Sequence, residues 1–257
     1  MTPADVVRVS NEWVYVPDGA PVLETEDYLL VRFPDHFVNR LELMRFSPRR
    51  PVSEVVAEVI DRARGFQLPS LVWRVRLDSP PGVAQSLVDL GGTIDETLDV
   101  FALDLGDEQP DLGNHEVELR WATDVVTARD ALAIGVEVFG GAMPPDAELY
   151  RTAAHEAVTL PVGRGGSIVA YVDGVPVGTG GISSRGPAAG LWGGAVLEAY
   201  RGRGIYRALL AARLDYAAAH YMTMALIKGR VETSGPILRR AGFGVYGQER
   251  SYRIPLA

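Results

Sequence analysis

The sequence of 257 residues contains no cysteine. This absence excludes disulfide bonds, a thiolate zinc site and an acyl-cysteine intermediate. Four scattered histidines form no local pair of metal ligands, so no metal site is predicted. No run of about 18 apolar residues occurs, and Met1–Asp5 lack the basic start and apolar stretch of a secretory signal. We therefore expect a cytoplasmic protein that does not bind a membrane.

Lysine is nearly absent as well. Lys228 is the only lysine among 25 basic residues, a bias that we attribute to an arginine-favouring genome. Residues 1–112 hold 20 acidic and 10 basic side chains, a net charge of −10, whereas residues 113–257 hold 13 and 15, a net charge of +2. Nucleic acid binding rests on many phosphate contacts, so this balance argues against nucleic acid as a partner. A single anionic cofactor bound by the second half fits the asymmetry.

The polar segment Gly106–Asn114 carries turn-forming residues without periodicity and is interpreted as a linker. After it, the pattern predicts a strand, two helices, three strands, a helix, a strand, a helix and a closing strand pair that ends near Ile254. Thr123 or Thr127 is expected to cap the first of these helices. The most regular helix is predicted from Gly204 to about Tyr221. This order is typical of a mixed α/β domain.

The first half repeats part of this order. Two strands, a helix over Val52–Arg64, a strand, a second helix and a final strand over Glu96–Leu105 are predicted there. We interpret the similarity as an internal duplication.

A basic, glycine-containing loop precedes the most regular helix. A helix start leaves about four backbone N–H groups without partners, and they point along the positive end of the helix dipole. Gly202 and Gly204 allow a tight turn and close approach of a phosphate, and Arg201, Arg203 and Arg207 add positive charge. A Walker loop is excluded because Gly-Lys-Ser/Thr is absent, and Arg207 stands where a dinucleotide fingerprint needs its third glycine. The loop is therefore predicted to bind a pyrophosphate.

The segment Arg201–Tyr206 resembles the signature Arg/Gln-x-x-Gly-x-Gly/Ala of the GNAT superfamily of acyl-CoA-dependent N-acyltransferases. Tyr206 departs from the small last residue of that signature. The resemblance covers residues 115–257 in element order and includes Ala241-Gly242-Phe243, which is similar to the family's terminal Leu-Gly-Phe. It implies an α/β fold of two tandem GNAT-like domains: residues 115–257 as the N-acetyltransferase domain, and residues 1–110 as a degenerate domain.

The degenerate half is expected to lack the cofactor site. The matching loop reads Ser47-Pro48-Arg49-Arg50-Pro51, and its prolines remove backbone donors where a phosphate would need them. We expect this half to pack on the other one and to wall its acceptor cleft.

The resemblance implies acetyl-CoA as co-substrate and no metal. The backbone of residues 195–197 would line the pantetheine arm, and the loop and helix start would hold the diphosphate. The implied cofactor-binding residues are Ala195, Val196, Leu197, Arg201, Gly202, Arg203, Gly204, Ile205, Tyr206 and Arg207.

Three residues are candidates for catalysis. The N–H of Val196 is expected to stabilise the oxyanion, as preorganised donors of this type do. Ser234 stands where an asparagine is common in the family, and could contact the cofactor or cap its own helix. Tyr246 could supply a proton or simply pack in the core. A general base is left open among Glu198, His155, Glu156 and a chain of water molecules.

Three functions remain open from the sequence. The leading hypothesis is transfer of an acetyl group from acetyl-CoA to an amine of a small molecule or an amino terminus, by direct attack in a ternary complex. The second is a non-catalytic acyl-CoA-binding or scaffold protein, because the sequence does not identify a general acid or a general base. The third is transfer from an aminoacyl-tRNA, against which the acidic first half argues. No motif identifies the acceptor or the oligomeric state.

Overall fold

The computed structural model describes residues 1–106, 110–113 and 117–256. The predicted linker, Gly106–Asn114, lies partly outside these residues, and His115 lies wholly outside them. The first half contains α1 (Pro3–Glu12), β1 (Val22–Glu24), β2 (Tyr28–Arg32), β3 (Leu41–Phe46), α2 (Val52–Arg64), β4 (Ser70–Val75), α3 (Val83–Asp89) and β5 (Thr93–Asp104). The second half contains β6 (Glu118–Trp121), α4 (Val125–Phe139), α5 (Asp146–Thr159), β7 (Gly165–Val172), β8 (Val175–Arg185), β9 (Ala188–Val196), α6 (Ile205–Ala219), β10 (Met224–Arg230), α7 (Ser234–Arg240) and β11 (Gly244–Pro255).

The eleven strands form one continuous sheet in the order β1-β2-β3-β4-β11-β5-β10-β9-β8-β7-β6. The pairs β3–β4 and β9–β10 are parallel, and the other neighbours are antiparallel. The predicted α/β fold of two tandem GNAT-like halves is thus confirmed, with one parallel pair in each half.

The two halves exchange their last strands. β11, from the end of the second half, pairs with β4 and β5 of the first half. β5, from the end of the first half, pairs in turn with β10 of the second half. The proposed sequence boundary near residues 110–115 therefore divides the chain but not the sheet.

Helices cover both faces of the sheet. On what we call the back face, α2 and α3 cover one core and α6 and α7 cover another. On the opposite face, the front face, α1 packs over β5, β9 and β10, while α4 packs over β7 and β9, with α5 beside it. Along β10 the faces alternate, as a strand requires: Met224 and Leu226 lie under α1, whereas Ala225 and Ile227 lie under α6.

Three local expectations differ from the structure. The cap of α4 is Asp124, whose carboxylate accepts the N–H groups of Val126 and Thr127, because it binds two amides where a threonine hydroxyl binds one. The closing strand pair is a single long strand, β11, with irregular pairing between Val245 and Gln248. Helix α1 and strand β1 were not predicted.

Candidate active site

A gap opens in the sheet between β9 and β10. The two strands pair from Ala188 opposite Met224 to Leu191 opposite Ile227, and then separate. Beyond this point β9 stays with β8 as far as Val196, and β10 stays with β5 as far as Arg230. Among the described residues, therefore, no strand lies beside residues 192–196 of β9 on the β10 side. We call this opening the β9–β10 gap.

The backbone of Val196 faces the β9–β10 gap. The N–H of the next residue, Leu197, donates to the carbonyl of Val177 across the β8 side at 2.9 Å. Since backbone groups alternate sides along an antiparallel strand, the N–H and C=O of Val196 point away from β8. The carbonyl of Val196 accepts a hydrogen bond from Arg201 Nε at 3.1 Å, and this fixes the loop against the strand end.

The backbones of Ala195 and Leu197, which were also predicted to line the pantetheine arm, do not face the β9–β10 gap. Both backbone groups of Leu197 have partners, because its carbonyl accepts the N–H of Tyr200 at 2.9 Å. Ala195 pairs with Thr179 on β8, and its side chain packs under α4. Of the three residues expected to line a pantetheine arm through their backbone, only Val196 presents its backbone to the gap.

Open backbone amides lie at the loop between β9 and α6. Gly202 and Gly204 have φ angles of 78° and 81°, the left-handed region that favours glycine, and Gly204 caps α6 without a side-chain hydrogen bond. The Arg201 amide donates to the Glu198 carbonyl at 3.2 Å. After Arg201, the next described amide with an acceptor is that of Ala208, which donates to the Gly204 carbonyl at 3.1 Å. The amides of residues 202–207 are thus available to an anion. We call these amides the cradle.

Three exposed arginines surround the cradle. Arg201, Arg203 and Arg207 form no ion pair with any described residue, and the Arg203 guanidinium lies 5.4 Å from the centre of the Tyr200 ring. Their charges are therefore unneutralised and add to the positive end of α6.

Ile205 and Tyr206 use their side chains elsewhere. Ile205 is buried in the core between α6 and the sheet. The Tyr206 ring covers Gly194 on the back face, where a Cβ would lie 3.0 Å from the ring, and burial raises the pKa of its hydroxyl. Replacement of a small residue by Tyr206 therefore leaves its amide in the cradle while the ring walls the β9–β10 gap.

The structure places Ser234 and Tyr246 on opposite faces. Ser234 borders the gap from the back, since a Cβ on Gly229 of β10 would lie 3.0 Å from its Oγ. It is the first residue of α7 and not its cap, which is Thr233, and its Oγ lies 3.4 Å from the Arg230 carbonyl. Tyr246 packs under α1 on the front face. The sheet separates the two hydroxyls, so they do not act on one atom together.

The candidate bases on the second half are dispersed. Glu156 is buried and accepts the N–H and Oγ of Ser167 at 2.7 and 2.9 Å, which holds α5 against β7, and burial raises its pKa. His155 and Glu198 are exposed. None of the three borders the β9–β10 gap through a described contact.

Sequence reasoning missed Lys228. It is the first β10 residue beyond the last pair with β9, and its side chain points to the front face, where Nζ lies 3.0 Å from Glu249 Oε1. Burial lowers its pKa to about 8. Two features of the sequence could have indicated it: Lys228 is the only lysine in the sequence, and it directly follows the apolar residues 224–227 of its strand.

Among the described residues, no group of three or more His, Asp or Glu side chains is placed to hold a metal ion. Within the same residues, no helix combines the length and the apolar character that crossing a bilayer requires.

The second half is similar in sequence to a known protein family. Residues 139–232, from the end of α4 to just beyond β10, match the sequence model of the Acetyltransferase (GNAT) family. No curated protein sequence matches the chain.

Solved structures share the fold over the whole chain. A GCN5-related N-acetyltransferase from Kribbella flavida is 19% identical with a TM-score of 0.67, covering 99% of this chain and 96% of that one. A GCN5-related N-acetyltransferase from Sphaerobacter thermophilus is 17% identical with a TM-score of 0.65, covering 100% and 94%. A tandem GNAT protein from the clavulanic acid biosynthesis pathway is 15% identical with a TM-score of 0.65, covering 98% and 93%. Residues 139–232 are thus similar in sequence to the GNAT acetyltransferase family, and the whole chain shares its fold with solved GNAT proteins, one of them a tandem GNAT protein.

Proposed function

We propose that the protein transfers an acetyl group from acetyl-CoA to a primary amine of a small molecule or of a peptide or protein amino terminus. The observation that carries the proposal is the cradle, whose free amides and unpaired arginines lie beside the β9–β10 gap. Residues 115–257 would form the transferase domain. Residues 1–110 would be a GNAT-like domain without a coenzyme A site.

The cradle fits the diphosphate of coenzyme A. Amides at a helix start bind phosphate without any side chain, and here Gly202 has no atom within 4 Å of the place a Cβ would take. Arg201, Arg203 and Arg207 would neutralise the diphosphate from the solvent side. The pantetheine arm would lie along the open edge of β9, toward the point where β9 and β10 separate.

The gap fits direct attack by the amine. Acetyl-CoA supplies an acyl thioester that an amine can attack without a covalent enzyme intermediate. The N–H of Val196 faces the gap and would donate to the developing oxyanion, a contribution of about 3–4 kcal/mol for one such donor. Ser234 borders the gap from the back face and would contact the cofactor near its sulfur. Tyr246, packed under α1, would serve the fold of the front face.

Two measurements on the full chain test the proposal. Isothermal titration with coenzyme A should show binding, and addition of acetyl-CoA with a panel of amines should release free thiol. Binding without thiol release for every amine would favour a non-catalytic acyl-CoA-binding protein. Absence of any binding would contradict both functions.

A further inference from the structure

A buried charged cluster lies on the front face where β9 and β10 separate. Lys228 Nζ is 3.0 and 2.9 Å from the two carboxylate oxygens of Glu249 on β11, and it donates to the Ser10 carbonyl at the end of α1 at 3.2 Å. The Ser10 hydroxyl donates to the same carboxylate at 3.0 Å. The Glu249 side chain has no exposure and that of Lys228 only 10%.

Other charges surround the pair. Arg74 of β4 and Arg76, the residue after β4, face the same side and oppose protonation of Lys228, whereas Glu249 favours it. Tyr246 of β11 packs against the same front-face cluster, to which α1 contributes Val6 and Val9, while the carbonyls of Ser10 and Asn11 accept from Lys228 and Arg76. The Arg76 guanidinium donates to the Asn11 carbonyl at 2.7 Å. Burial is the largest influence, and the pKa of Lys228 falls to about 8.

Stability alone does not account for such a pair. Removing two charges from water costs several kcal/mol per ion, and apolar side chains of similar volume usually serve a core as well or better. The pair lies beside the β9–β10 gap. The four residue-to-residue steps along β9 from Val196 back to Trp192 span about 13 Å. Lys228 lies at the far end of this edge, because it follows Ile227, the last β10 residue that pairs with β9.

We propose that Lys228 is the proton-transfer residue of the acetyl transfer, and that Glu249 and Ser10 hold it in position. The inference rests on the proposed function. Neutral Nζ has two N–H groups, which Glu249 and the Ser10 carbonyl accept, so its lone pair remains for the substrate.

Lys228 Nζ alone would carry out both proton transfers of the reaction. As the amine nitrogen forms its bond to the acyl carbon, Nζ takes a proton from that nitrogen. As the carbon–sulfur bond breaks, the resulting ammonium returns the proton to the thiolate. Ser10 and Arg76 belong to the first half, so this half would complete the catalytic site of the second.

The single lysine permits a direct test without knowledge of the acceptor. Protein grown with nitrogen-15-labelled lysine gives one side-chain Nζ resonance, identified by its loss in Lys228→Arg. We expect this resonance to titrate near pH 8 and to differ between the complexes with coenzyme A and with acetyl-CoA, which are distinct only at the sulfur. Identical resonances in two saturated complexes would overturn the inference and leave the proposed function standing. Failure of both ligands to bind in calorimetry would overturn both.

Kinetics with an amine found by the panel give the second test. Lys228→Arg keeps the ion pair with Glu249 but stays protonated, so kcat should fall by about 100-fold or more while the Kd for coenzyme A is unchanged. In wild type, kcat should rise with pH through about 8, as Lys228 becomes neutral. In Glu249→Gln the ammonium loses its counter-charge, so this rise should move to lower pH. Wild-type kcat in Lys228→Arg, or an unmoved pH profile in Glu249→Gln, would show that Lys228 does not carry the proton.

Discussion

The two halves use the same strand–loop–helix position in opposite ways. In the second half, the loop between β9 and α6 leaves its amides free and its arginines unpaired. In the first half, the loop between β3 and α2 is closed by Asp27, whose carboxylate accepts the Arg49 N–H at 2.6 Å and pairs with Arg50 at 2.8 Å. Arg49 and Arg50 are also paired with Glu26 and Glu58.

The contrast shows what distinguishes a ligand site from its structural counterpart. The positive end of a helix and its adjoining arginines attract an anion in both halves. One half supplies that anion from its own chain, and the hydrogen bond from Arg49 N–H with the Arg50 guanidinium holds the pKa of Asp27 below its usual range. In the second half, the described residues place no carboxylate at the cradle, so a ligand can supply the anion there. The two parallel strands of the first half differ likewise, since the rings of Phe46 on β3 and Trp73 on β4 lie 4.8 Å apart between their centres and pack in the core under α2.

The largest effect is expected from placing a carboxylate in the open cradle. Gly202→Asp should weaken coenzyme A binding at least tenfold, about 1.4 kcal/mol, because the new charge occupies the amides and repels the diphosphate. Calorimetric titration measures the change.

Gly202→Asn is the matched control. Asparagine has the same size and tolerates a positive φ as well as aspartate, so any strain at φ 78° is shared by both variants. Equal affinities in the two variants would show that strain rather than charge is responsible.

A smaller effect is expected from the arginines. The double variant Arg203→Met and Arg207→Met should weaken coenzyme A binding several-fold, with the difference from wild type shrinking as salt is added. Arg49→Met and Arg50→Met in the first half should leave this affinity unchanged, because Glu26, Asp27 and Glu58 already engage those side chains. Loss of affinity in the first-half variants would break the comparison.

The smallest effect concerns Asp27. A carboxyl whose pKa is lower in the folded state stabilises it above the unfolded pKa near 4, and this stability is lost as the pH falls through the folded pKa. Asp27→Asn should lower the midpoint of thermal unfolding by a few degrees at pH 7 and by less near pH 3. Coenzyme A affinity should not change. A deficit independent of pH would mean that packing, not charge, is the contribution of Asp27.

Local signals predicted several helices and the glycine-containing loop before α6. The bounds of α2, α5 and α7 match the prediction because hydrophobic periodicity and breakers such as Pro51, Pro145 and Gly242 delimit them. The cradle followed from glycines next to a regular helix. Helix α1 was missed although Thr2 and Asp5 form a capping box and Val6 and Val9 are buried on one face, because its ten residues make only about three turns.

Nonlocal features were beyond such signals. Alternation along β5 and β11 indicates strands but not their neighbours, so the exchange between the halves was not predicted. The contact of Lys228 with Glu249 joins two strands with β5 between them. Burial of that pair depends on α1, a helix more than 200 residues away in sequence.

The strand exchange also dictates the order in which the molecule can be completed during synthesis. β4 is translated well before its neighbour β11, which belongs to the second half. Domains usually fold as they emerge, N-terminal first. Here the first half keeps an unfilled slot between β4 and β5 until the second half has been made, so the two halves reach their native state as a single cooperative event and neither can be excised intact.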